Sequence, residues 1–211
     1  MPEEFLREIQ GSAGPLEAVL DLPATAPRAA AVFAHPHPLH GGTMHTKAVY
    51  QAAKALARVG VAVLRFNFRG VGLSRGAHDG GAGEMDDFRA GLDFMAAKYP
   101  GLPLWAAGFS FGSWIALGVG ASDPRVELLL GIGLAVDRYD FTDVKASDKP
   151  KFLIHGEFDE LIPVKDVKKF YGQLREPKDL VIIDAADHLF SGKTMELGEA
   201  VEDLLRDFSH A

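Results

Sequence analysis

Short apolar runs and helical stretches alternate along most of the 211 residues. Residues 16–22 alternate apolar and polar positions with the period of a strand, and residues 5–9 are placed to pair with them through Gly11-Ser12-Ala13-Gly14. Residues 29–34 form a continuous apolar run, the pattern of a strand covered on both faces. Residues 46–59 set Val49, Ala52, Ala53 and Leu56 on one helical face and stop at Gly60. Residues 61–68 predict the next strand. Residues 84–98 predict an amphipathic helix through Met85, Phe88, Leu92 and Met95, closed by Pro100-Gly101. Strands are then expected at 104–107, 127–135, 151–155 and 180–183, and helices at 113–119, 164–174 and 195–208.

Strand then helix, repeated, implies an α/β fold of three layers. A mostly parallel central sheet should carry helices on both faces. No internal repeat, low-complexity stretch or long linker interrupts the pattern, so residues 1–211 read as a single domain. In such a sheet, reactive groups are expected at the carboxyl ends of the strands.

Composition narrows the chemistry. A hydrophobic share of 47% and a charged share of 24% are those of an ordinary globular protein. The net charge of -7, with no cluster of Lys or Arg, argues against a nucleic-acid partner and against an anionic membrane surface. There is no cysteine, which excludes disulfides, thiolate metal sites and a cysteine nucleophile. Residues 1–8 are acidic without an apolar core, unlike a secretory signal, and no apolar run reaches membrane-spanning length. A cytoplasmic enzyme acting on a small molecule is the expectation. Neither charge nor pattern assigns an oligomeric state.

The pattern G-x-S-x-G occurs twice. In Gly108-Phe109-Ser110-Phe111-Gly112 it lies between a predicted strand and a predicted helix. That is the setting of a nucleophile elbow, where a strained turn presents the serine oxygen in front of a helix N-terminus. In Gly72-Leu73-Ser74-Arg75-Gly76 it leads into Ala77-His78-Asp79-Gly80-Gly81-Ala82-Gly83, a glycine-rich loop. Ser110 is therefore the candidate nucleophile and Ser74 a polar loop residue.

A serine hydroxyl needs a histidine to take its proton and a carboxylate to orient that histidine. After an elbow of this kind the acid comes next in the chain and the histidine last. His188 follows the last predicted strand, in Asp184-Ala185-Ala186-Asp187-His188-Leu189-Phe190. His155 ends its own strand ahead of the acid and reads as structural; His210 is near the end, where fraying is expected. Asp159 is the preferred acid, in His155-Gly156-Glu157-Phe158-Asp159-Glu160-Leu161-Ile162-Pro163. Glu157, Glu160 and Asp137, with Asp140 close behind it, are the rivals. Asp187 adjoins His188 and is read as an Asx turn.

Across these segments, with His35-Pro36-His37-Pro38-Leu39-His40-Gly41-Gly42-Thr43 and Arg65-Phe66-Asn67-Phe68-Arg69-Gly70-Val71-Gly72, the chain resembles the small α/β-hydrolases. It is most similar to the lidless esterases and the dienelactone-hydrolase-like group. The resemblance implies Ser110 as nucleophile, Asp159 as acid and His188 as base, with no cofactor. Dienelactone hydrolases proper use a cysteine nucleophile, which speaks against dienelactone as substrate. A carboxylesterase working through an acyl-enzyme is the expected activity. Another acyl bond (thioester, lactone or peptide) is the alternative, and a non-catalytic binding protein a more distant one.

The oxyanion intermediate calls for two N–H donors: Phe111, and one from the loop after residues 29–34. Pro36 and Pro38 cannot donate there. His37 is preferred, with Leu39 next and Gly41 and Gly42 behind. His35, His37 and His40 nearly spell a metal motif, but Leu39 stands where its acid belongs, so no metal is expected. Asp137-Arg138-Tyr139-Asp140-Phe141-Thr142-Asp143 lies where related enzymes insert a cap and is too short for one. An open, shallow site is expected, with Phe111, Phe141, Phe190 and Leu39 as apolar lining and a preference for short acyl chains. Phe109 is read as core.

Overall fold

The computed structural model describes residues 2–206 and 208. His210 lies outside the described residues. One eight-stranded sheet runs in the order β1-β2-β4-β3-β5-β6-β7-β8. The strands are β1 (Glu3–Gly11), β2 (Gly14–Asp21), β3 (Ala29–Ala34), β4 (Val61–Phe66), β5 (Leu104–Phe109), β6 (Val126–Ile132), β7 (Lys151–Gly156) and β8 (Lys178–Ile183). The hairpin β1–β2 is antiparallel, as is β2 against β4; every other pair is parallel.

Alternate strand positions feed two separate cores, because successive side chains point to opposite faces. Ala30, Val32 and Ala34 of β3 face α2 (Ala82–Lys98) and α3 (Phe111–Ser122). Ala29, Ala31 and Phe33 face α1 (Lys47–Arg58) and α6 (Thr194–Leu205). The central strands β3 and β5 are apolar and buried at every position for this reason: each is covered on both sides. Gly60, at φ 89°, ends α1 in the left-handed conformation that glycine adopts without steric cost. The last helix on the way to β8 is α5 (Val164–Tyr171).

Two boundaries differ from the sequence pattern for local reasons. β4 stops at Phe66, because the Phe68 N–H leaves the sheet and donates to Nε2 of His35 at 3.1 Å. Between β6 and β7 there is a five-residue helix, α4 (Thr142–Ala146), too short to leave a periodic signal. Among the described residues, no cap covers the carboxyl end of the sheet. Among the described residues, no helix is long and apolar enough to cross a membrane.

Candidate active site

The elbow forms where β5 meets α3. Ser110 has φ 56° and ψ -119°, a conformation that L-residues adopt at a cost. Both glycines of the motif are there for close approach. A Cβ on Gly108 would overlap the Gly112 carbonyl, and one on Gly112 would overlap the carbonyl oxygens of Ala34 and His35. The turn is held by the Ser110 N–H, which donates to the Ile132 carbonyl at 2.9 Å. Ser113 Oγ donates to the Ser110 carbonyl at 2.6 Å.

The loops after β7 and β8 bring two further side chains to the serine. His188 Nδ1 is 2.7 Å from Asp159 Oδ2, and its Nε2 is 3.0 Å from Ser110 Oγ. A carboxylate only accepts, so Nδ1 carries the proton; in the neutral ring Nε2 then accepts from the serine hydroxyl. Asp159 is anchored on its other oxygen, where Oδ1 accepts the N–H groups of Leu161 at 2.9 Å and Ile162 at 2.8 Å. Burial alone would raise the Asp159 carboxyl. The hydrogen bond from His188, its nearby ring and the Ile162 N–H outweigh that and hold it below its ordinary value, as a carboxylate. The Phe109 ring packs beside the imidazole at 5.4 Å between centroids.

The rival acids lie elsewhere. Glu157 accepts the Ala185 N–H, and Asp137 sits 3.9 Å from Arg138. Glu160 lines the cleft without replacing Asp159 on His188. Asp187 accepts the Ser191 N–H as a loop anchor. Ser74 is buried in a clamp between strands: its Oγ accepts the Glu17 N–H at 2.9 Å and donates to the Asn67 carbonyl at 2.6 Å.

Phe111 and His37 line the same cleft as Ser110, and their N–H groups have no acceptor among the described residues. Phe111 opens α3, so its N–H has no helical partner. In the loop after β3, a single 3-10 turn (Pro38–His40) consumes the other amides. His40 and Gly42 donate to the His37 carbonyl, Gly41 to the Pro38 carbonyl, and Leu39 to the ring Nδ1 of His37. Leu39 is thereby withdrawn as a donor, and the His37 N–H remains.

His35 braces this loop from below. Its side chain is 0% exposed; Nε2 accepts the Phe68 N–H and Nδ1 donates to the Pro36 carbonyl at 2.6 Å. Neither nitrogen is free for a metal. Burial holds the imidazole down at about 4, against an ordinary value of 6.5. The unfolded chain takes up this proton near pH 6.5 and the folded chain only near pH 4. The unfolded state therefore binds more protons between those values, and stability falls as pH drops through that window, by up to about 3 kcal/mol. Thermal melts should show a melting temperature that declines below about pH 6.5 and a shallower decline in His35→Gln. Equal slopes in both proteins would contradict the assignment.

The cleft over Ser110 has a volume of about 480 Å³. Its walls include His37, Phe111, Tyr139, Leu161, His188 and Leu189. Phe111 is on the wall as expected from its position. Phe141 and Phe190 are not. Phe141 is 3% exposed and packs on Phe170 beneath α3, at 5.4 Å between rings. Phe190 is 1% exposed; a positive φ of 54° turns it into the opposite core against Phe109. Leu39 points to solvent, off the wall. Tyr139, Leu161 and Leu189, which take the lining role instead, neighbour the residues singled out at the ends of β6, β7 and β8. Tyr139 stacks on Trp114 at 4.4 Å, which fixes its ring.

A family model described as serine aminopeptidase, S33, matches residues 27–137. An uncharacterised protein of Rickettsia prowazekii is 39% identical over 192 residues, covering 86% of this chain and 81% of its own. A serine hydrolase homologue of Coxiella burnetii is 36% identical, with a TM-score of 0.89 over 97% of each chain. A serine hydrolase without a lid from Xanthomonas campestris is 34% identical, with a TM-score of 0.91 over 100% of this chain and 98% of that one. With the elbow, the uncapped carboxyl end of the sheet and these relatives, the chain belongs to the family described as serine aminopeptidase S33 and is a small, lidless α/β-hydrolase.

Proposed function

We propose that the protein is a serine carboxylesterase for small or short-chain acyl esters. The observation that carries the reading is the bridge made by His188, which touches Ser110 Oγ and Asp159 at hydrogen-bond distance at once. As the serine oxygen attacks the ester carbonyl, its proton passes to His188 Nε2. Asp159 keeps the ring in the accepting tautomer and stabilises the imidazolium. The carbonyl oxygen becomes an oxyanion and is received by the N–H groups of Phe111 and His37. Collapse breaks the bond to the alcohol, which leaves with the proton from His188, and the acyl group stays on Ser110. Water, deprotonated by the same imidazole, then attacks the acyl-enzyme; collapse breaks the bond to Ser110 Oγ, which takes the proton back from His188 as the acid leaves.

The size and openness of the cleft support short substrates. A cleft of about 480 Å³ has room for a short acyl group and, without a cap among the described residues, offers a longer chain no further wall. Across p-nitrophenyl esters of rising acyl length, kcat/KM should be highest between acetate and butyrate. A long-chain ester hydrolysed faster than both would overturn the short-chain reading. The family description favours amide bonds as the second reading. Aminoacyl p-nitroanilides turned over faster than the matched esters would decide for it.

A further inference from the structure

His155 is a buried imidazole that the reaction above does not use. It lies near the end of β7, where the register pairs it with Ile182 of β8, and its side chain is 0% exposed. Nε2 is 2.9 Å from the Ile162 carbonyl oxygen and 3.4 Å from Asp159 Oδ2. A carbonyl only accepts, so Nε2 carries the proton. Nδ1 then keeps a lone pair in the interior with no hydrogen-bond partner. Burial holds this imidazole below its ordinary pKa, so the ring is neutral. An apolar side chain of the same size would leave no orphaned nitrogen there. What distinguishes histidine at this place is the N–H it aims at the acid loop.

That loop is the mounting of Asp159. Its Oδ1 is fixed by two backbone N–H groups, and its Oδ2 faces both His188 Nδ1 and His155 Nε2. Besides these two rings, Asp187 on the His188 loop opposes Asp159 by like charge while its own carboxylate accepts the Ser191 N–H; Glu157 is turned to the Ala185 N–H, and Glu160 lies on the cleft wall. We propose that His155 is a positioning residue: its Nε2–H pins the loop through the Ile162 carbonyl and sets the Asp159 carboxylate so that Oδ2 presents to His188. The inference rests on the esterase reading, in which Asp159 orients the general base. His155 itself touches no reacting atom.

Three variants of the full chain test it. His155→Phe fills the space without a donor. His155→Gln places an amide N–H close to where Nε2 stood, and His155→Asn is too short to do so. His155→Phe should lose about tenfold to a hundredfold in kcat with KM within about twofold, as expected when an orienting group is loosened. The acid limb of its pH profile should move. Without substrate, the downfield proton resonance of His188 Nδ1–H should shift or broaden. His155→Gln should restore most of the activity and the signal.

Wild-type kcat and resonance in His155→Phe would overturn the proposal. So would an equal loss in all three variants with the pH profile and resonance unmoved, which marks a merely structural role. If His155→Phe does not fold, the Gln and Asn pair decides, since Asn must lose what Gln keeps. The resonance needs no ester. A wild-type protein that shows it but hydrolyses nothing would sink the esterase reading and leave the positioning of Asp159 still measurable.

Discussion

Ser110→Ala should lower the turnover of p-nitrophenyl acetate by about a thousandfold to a millionfold, the range seen when a serine nucleophile is removed from such a constellation. The substitution deletes only Oγ, whose partner is His188. The features that shape the turn are backbone and glycine contacts, which alanine retains. The melting temperature should therefore stay at the wild-type value while activity vanishes. Ser74→Ala should do the reverse. It frees the Glu17 N–H and the Asn67 carbonyl, so it weakens the fold and leaves turnover nearly intact. Activity retained in Ser110→Ala would refute the nucleophile.

Gly112→Ala should be as damaging to the fold as Ser110→Ala is to the chemistry. The added Cβ would overlap the carbonyl oxygens of Ala34 and His35, both backbone atoms, where α3 passes the end of β3. Neither can step aside without moving the strand end that carries the His37 loop. A loss of about 4 kcal/mol or more is expected, with activity falling about a hundredfold in whatever folds. Gly118→Ala is the matched control. It lies in the same helix, and its Cβ would meet nothing closer than Met85 Cε at 4.0 Å. There alanine should stabilise by about 0.5–1 kcal/mol through helix propensity. Thermal melts of the two variants separate the cases; a Gly112→Ala protein with the wild-type melting temperature would show that the crossing is looser than described.

The layered sheet was legible because its strands are short apolar runs between helical stretches. That pattern follows directly from burial on both faces, as in residues 29–34 and 104–107. Ser110 could be told from Ser74 because the elbow needs a strand before it and a helix after it, and both show in local periodicity. Chain order points to His188 and confines the acid to the stretch before it, where Asp159 is preferred to Glu157, Glu160 and Asp137 for its apolar flanks. Side-chain direction in loops has no period to read. Phe141 and Phe190 stand beside the proposed catalytic loops in sequence, yet each turns into a different core. After β3, His37 is the preferred donor, but proline spacing alone leaves Leu39, Gly41 and Gly42 open beside it; a 3-10 turn and the His37 ring absorb those amides. The helix of residues 142–146 is shorter than two turns, below the length at which periodicity shows.

In the proposed reaction Ser110 carries the acyl group during hydrolysis. Mass spectrometry of protein quenched during turnover of p-nitrophenyl acetate tests this directly. A single acetyl group is expected, located by peptide fragmentation on Ser110 and absent from Ser110→Ala. An acetyl group on Ser74 or on any other residue, or steady hydrolysis with no trapped acyl-enzyme and no effect of Ser110→Ala, would contradict it.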